Sequence, residues 1–151
     1  MMGTAYSEIY NMFEEKINDY DIAKLISDGY QSTVDAMYLS YLKTAISKFK
    51  AYSKSDLTDR NDTTLVFTET LTDTEIDILS LLMVLEWIRP LINRVTLLKQ
   101  ALNNTDFRQF SQQAHLKELI NLKKNTKEEI DGLIVEFTYV ENDIETVLKP
   151  N

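Results

Sequence analysis

Glu86 is the one charge set deep in an apolar run, and Arg89 follows it three residues on. With the chain's single histidine, His115, these make up most of what could do chemistry here. A carboxylate buried without a partner is pushed toward its neutral form, and such a group can serve as a catalytic acid. Arg89 stands at a helical spacing that puts both side chains on one face, so the same residues also make a plain structural ion pair. With Trp87 between them, the group also suits a subunit interface, where tryptophan and arginine are enriched. His115 lies among Gln112, Gln113, Lys117 and Glu118. A general base needs a nucleophile within hydrogen-bond reach and a third group to orient it, and no local spacing supplies either.

The remaining chemistries fall away for want of residues. There is no cysteine, so thiolate nucleophiles, disulfides and thiolate metal sites are excluded. Zinc sites draw on several His or Cys ligands, and di-iron bundles need Glu-x-x-His pairs on two helices. One histidine serves neither. Three scattered glycines cannot build a phosphate-binding loop, and no acidic loop has the spacing of a calcium hand. The expectation is a protein that is not an enzyme and carries no metal or cofactor.

The elements around these residues are helical by pattern. Thr72 and Glu75 have the spacing of a capping box, with Leu71 before them as a hydrophobic staple. Asp73, Glu75 and Asp77 favour the positive end of a helix dipole. The run from Ile76 to Ile92 is apolar on more than one face, as in a helix at the centre of an all-helical domain. Pro90 removes an amide and clashes with the carbonyl of Glu86, which predicts a kink or a break. Tyr6, Ile9, Tyr10, Phe13 and Ile17 form one stripe, capped by Thr4 or Ser7. A short helix is expected around Asp21 to Ser27, ended by Asp28-Gly29. Val34, Met37, Tyr38, Tyr41, Leu42, Ala45, Ile46 and Phe49 form another stripe, with Ser32 or Thr33 as cap. Residues 53–71 read as a loop in which Thr64–Thr68 could be extended. A last stripe of Leu116, Leu119, Ile120, Ile130, Leu133, Ile134 and Phe137 runs from Ser111 to about Phe137. Lys123 and Lys127 fall on it. Gly132 sits inside it, for close helix approach or by tolerance. After Thr138, residues Tyr139, Val140, Ile144, Val147 and Leu148 belong to a tail with one weak amphipathic turn.

The fold class expected is therefore all-α. A single helical bundle of about four long helices with a kinked central helix would have little or no strand outside residues 62–70. Residues 1–138 would form the helical domain and residues 139–151 a C-terminal tail docked on a partner. A chain of 151 residues is long enough for one core. Glu86, Arg89 and Pro90 interrupt the apolar run, so no membrane span is expected. The first ten residues have neither the basic start nor the apolar core of a signal peptide. The net charge of −8 offers little counterion release, so tight DNA binding is not expected. It would still allow DNA to pass without sticking.

The segment Leu71–Ile76 running into Leu82-Met83-Val84-Leu85-Glu86-Trp87, with Pro90 after it, resembles the central helix of small head–tail connector (adaptor or neck) proteins of tailed bacteriophages of Gram-positive hosts. Tyr41–Phe49 is similar to their earlier helix. Asp106-Phe107, Phe110-Ser111-Gln112 and His115–Leu119 are similar to the segment that follows. The resemblance implies a structural virion protein of the head–tail interface, made in the host bacterial cytoplasm. It implies a homo-oligomeric ring, twelve-fold in most such proteins, that sits under the portal protein. Such a ring extends the DNA channel and docks the next connector or tail protein. It brings no catalytic residues. The protein-interface candidates are Glu86, Trp87, Arg89, Tyr139, Val140, Ile144, Val147 and Leu148. The alternative from a different class is an intracellular helical regulatory or scaffold domain that binds one partner protein.

Overall fold

The computed structural model describes residues 3–101 and 110–148, with the side chains of 97–101, 110–114 and 140–148 left aside. The described residues are mostly helical, far above the one-third or so typical of globular proteins, so the all-α class stands. Among the described residues there are five helices: α1 (Tyr6–Ile17), α2 (Tyr20–Ser27), α3 (Gln31–Phe49), α4 (Asp73–Ala101) and α5 (Phe110–Leu148). α4 is the hub. It packs against α1, α3 and α5, while α2 leans on α3.

The capping box at the head of α4 is formed as its spacing predicts. The Thr72 hydroxyl accepts from the Glu75 amide at 3.2 Å, and Glu75 Oε1 accepts from the Thr72 amide at 3.0 Å. Leu71 is buried beside it as the staple. Glu75 is itself fully buried, and its carboxylate also takes the Ser55 amide and hydroxyl at 3.1 and 2.9 Å. One carboxylate thus starts α4 and pins the preceding loop. Beyond it, Ile78, Leu79, Met83 and Ile88 have no solvent exposure. They meet Tyr6, Ile9 and Phe13 of α1 and Val34, Leu42, Ala45 and Phe49 of α3 in one cluster. α4 is assigned as a single helix through Pro90, so the alternative of a break does not occur.

Two cap assignments differ from expectation. α1 begins after Ala5 and α3 after Tyr30, neither with a side-chain cap. Thr4 is used elsewhere: its buried hydroxyl accepts from the Leu71 amide at 2.8 Å, and its backbone oxygen accepts from the Phe67 amide at 2.8 Å. The N-terminal residues therefore join the head of α4 rather than merely starting α1. The short second helix is capped by Asp19, whose Oδ1 accepts from the amides of Asp21 and Ile22. It ends at Asp28-Gly29, where Gly29 takes a φ of 92°.

The loop over 53–71 contains two-residue strands, β1 (Arg60–Asn61) and β2 (Val66–Phe67), paired antiparallel with Arg60 opposite Phe67. β1 lies just outside the 62–70 window. Ala5 bridges to Val66 on the other side. Of the Thr64–Thr68 segment, Val66–Phe67 is extended. It finds partners inside the chain, and Phe67 is buried among the helices.

α5 differs most. It runs unbroken to Leu148 over 39 residues, roughly 58 Å at 1.5 Å per residue. No helix end separates the stripe ending at Phe137 from the segment after Thr138. Ile130 and Phe137 reach the core, whereas Ile120, expected on the buried stripe, is 49% exposed. Lys123 and Lys127 are exposed too. Gly132 has open space where a Cβ would stand, so close helix approach is not its reason.

Candidate interaction surface

Glu86 points from α4 toward α3 and is about 9% exposed. Its Oε1 accepts from Lys48 Nζ at 2.8 Å and from Arg89 Nη2 at 3.3 Å. A cation on the neighbouring helix thus provides the shorter bond, and the local Arg89 adds a second from a largely exposed position. Both lysine and arginine lie closer to solvent than the carboxylate they hold. This is the geometry of a structural ion pair, with the charge compensated where it is least hydrated.

Trp87 is half-buried against the core. Its indole N–H donates to Asp19 Oδ2 at 2.6 Å. The same Asp19 carboxylate caps α2 with its other oxygen, so it ties α2 to α4. The polar edge of Trp87 is therefore engaged inside the fold. Sequence spacing could not show this, because Asp19 and Trp87 are far apart in the chain. His115 is exposed on α5. Among the described residues no group of three His, Cys, Asp or Glu is placed to hold a metal ion. No helix among them is long and apolar enough to cross a membrane.

A belt of tyrosines closes the opposite side of α1. The Tyr6 hydroxyl donates to Asp62 Oδ1 at 2.5 Å, and Arg60 Nε donates to the same oxygen at 3.1 Å. The Tyr6 bond is the main reason that the Asp62 carboxyl is held below its ordinary range. The rings of Tyr10 and Phe13 meet Tyr38 edge-on at 5.3 and 5.2 Å. Among the described residues, the buried Tyr10 and Tyr38 hydroxyls find no hydrogen-bond partner. Glu14 lies near the Tyr38 hydroxyl and adds to its raised pKa, but not in good bonding geometry. Burial pushes Tyr10 up to about 12, and it likewise raises Tyr6, Tyr38 and Tyr41. These rings are core and core edge, which favours packing over a partner surface for α3's tyrosines.

An open apolar surface lies against α5. A groove of about 580 Å³ runs between the end of α3, the middle of α4 and α5. Leu82, Leu85, Ile130, Ile134 and Val135 make it apolar, and Tyr52, Lys48, Lys127, Asp131 and Thr138 complete its lining. Tyr52 and Val135 are 52% and 64% exposed, and Tyr139, next after the groove, is 65% exposed. Of the interface candidates, only Tyr139 has a described side chain that is largely exposed and apolar. The side chains of Val140, Ile144, Val147 and Leu148 lie outside the described residues. Tyr52 and Val135 were not singled out by sequence. The available signal was Val135 beside Ile134, an apolar residue off the main stripe. In comparisons with known proteins, no family model, no curated protein and no solved structure matches this chain.

Proposed function

We propose that this chain is a structural head–tail connector subunit of a tailed bacteriophage, part of a ring beneath the portal that extends the DNA channel and docks the next neck or tail protein. The observation that carries the reading is the long α4–α5 pair. Past Ile92 on α4 and before Ile130 on α5, it leaves the shared core, and Ile120 and Leu122 stand exposed beside a buried Leu119. Long helices with unmatched apolar positions suit a subunit that completes its packing against copies and neighbours. In this reading α4 bends at Pro90, where the proline ring crowds the carbonyl of Glu86. α1, α3, α4 and α5 act as the four long helices of the bundle. Of the residues of the resemblance, Leu71–Trp87 fall on the head and buried half of α4, Tyr41–Phe49 on α3, and Phe110-Ser111-Gln112 and His115–Leu119 on α5, while Asp106 and Phe107 lie outside the described residues.

The net charge of −8 agrees with a channel wall past which a polyanion slides without being gripped. Ring closure repeats each weak contact around the symmetry axis, so subunits that associate weakly alone hold together on a template. The test is composition of the particle. Mass spectrometry of purified virions should find this chain alongside the portal protein, in about twelve copies if the ring follows the usual symmetry. Its absence from virions would overturn the reading.

A further inference from the structure

We infer that the groove between α3, α4 and α5 is the seat for the C-terminal segment, residues 139–148, of a second copy of this chain. The inference rests on the reading of the chain as a self-assembling subunit, and it names the two surfaces that meet. The groove has an apolar floor of Leu82, Leu85, Ile130 and Ile134, with Val135 exposed at its edge. Lys127 brings positive charge to it and Asp131 one negative charge, while Lys48 is already paired with Glu86. Lys127 has no ion-pair partner among the described residues. The segment after Thr138 has the complementary composition by sequence. Val140, Ile144, Val147 and Leu148 follow the i, i+4, i+7, i+8 spacing of one helical stripe, and Glu141, Asp143 and Glu145 make it acidic.

Helix continuity decides whose segment it is. The groove wall at 130–138 and the segment at 139–148 belong to the same unbroken α5. A continuous helix cannot fold back on its own flank, so a chain cannot fill its own groove while α5 is intact. A second copy can, and a helix laid in an apolar groove is a familiar recognition mode. The same rule repeated from copy to copy joins tail to groove head-to-tail, and such contacts close into rings when the rotation allows.

The experiment uses the full-length protein and a synthetic peptide of residues 139–151 carrying a fluorophore, followed by anisotropy. Saturable binding is expected below about 1 mM, weakened roughly tenfold by Val135→Glu, which places a charge at the groove edge. Lys127→Glu should weaken it about threefold, as for an exposed ion pair. A peptide with Glu141, Asp143 and Glu145 changed to lysine should recover affinity for that variant. Val135 is exposed, so its variant should melt as wild type does; if it does not, the Lys127 charge reversal carries the test. No saturation, or equal binding by wild type and the Lys127 variant, would overturn the inference. A chain found in virions whose peptide fails to bind leaves the connector reading standing and removes this contact. Peptide binding by a chain absent from virions does the reverse.

Discussion

Two cations converge on one oxygen of Glu86, and that redundancy governs how the site responds to substitution. With Lys48 or Arg89 removed singly, the other still compensates a carboxylate that is about 9% exposed. Lys48→Ala or Arg89→Ala should each cost only about 1 kcal/mol, the scale of a partly exposed pair. The double variant leaves the carboxylate without either cation and should cost about 3 kcal/mol, more than the sum of the two. Denaturant melts of the four proteins in this cycle measure the coupling. Simple additivity would mean that water already hydrates Glu86 enough to make both cations dispensable.

At the scale of elements, two glycines give opposite outcomes from one substitution. Gly132 lies in α5 with open space around its missing Cβ. Gly132→Ala removes the excess freedom of the unfolded chain and should stabilise the protein by about 0.5–1 kcal/mol. At Gly3 a Cβ would stand 1.7 Å from the Phe67 carbonyl oxygen, so Gly3→Ala must push the N-terminal segment off the loop. That would strain the Thr4 bonds to Phe67 and Leu71, one of them to a buried amide. A loss of about 2 kcal/mol is expected, in the range for a buried donor left unpaired. Thermal melting of the two variants should move in opposite directions. The Gly132 effect was readable from its helical context; the Gly3 effect was not. Its cause is a contact with a strand far along the chain.

For the molecule as a whole, the tyrosine belt predicts how stability depends on pH. Tyr6, Tyr10, Tyr38 and Tyr41 all have pKa values raised by burial. Below the unfolded value of about 10 the folded and unfolded chains both hold these protons, and stability is complete. Above it, the unfolded chain releases them first, so stability should fall steadily as pH rises through the folded values. Asp62 acts at the other end. Its folded pKa is lowered, first by the bond from Tyr6, so its contribution is present above about 4 and lost as pH falls through the folded value. Tyr6→Phe removes a buried hydroxyl and that bond together, and should flatten both limbs of the profile. Melting temperatures across the acid and alkaline ranges test this. An unchanged acid limb would assign the acid sensitivity to other carboxylates.

The sequence by itself determined the helices and most of their buried faces. A 3.6-residue apolar period, the Thr72–Glu75 capping box and the Asp28-Gly29 stop are local signals, and local sterics and hydrogen bonding act on them alone. Tertiary structure decided what depends on partners distant in the chain. Thr4 left α1's cap for the head of α4, and Asp19 joined α2 to Trp87. Lys48 reached Glu86 from α3, and the extended loop paired with itself and Ala5. The end of α5 belongs to the same group. The weak amphipathic pattern after Phe137 read as a separate tail, yet the helix continues through it. Nothing in that stretch breaks a helix before Pro150. The groove followed from the same cause, since it exists only where the packing of α3, α4 and α5 leaves apolar side chains facing an unfilled space.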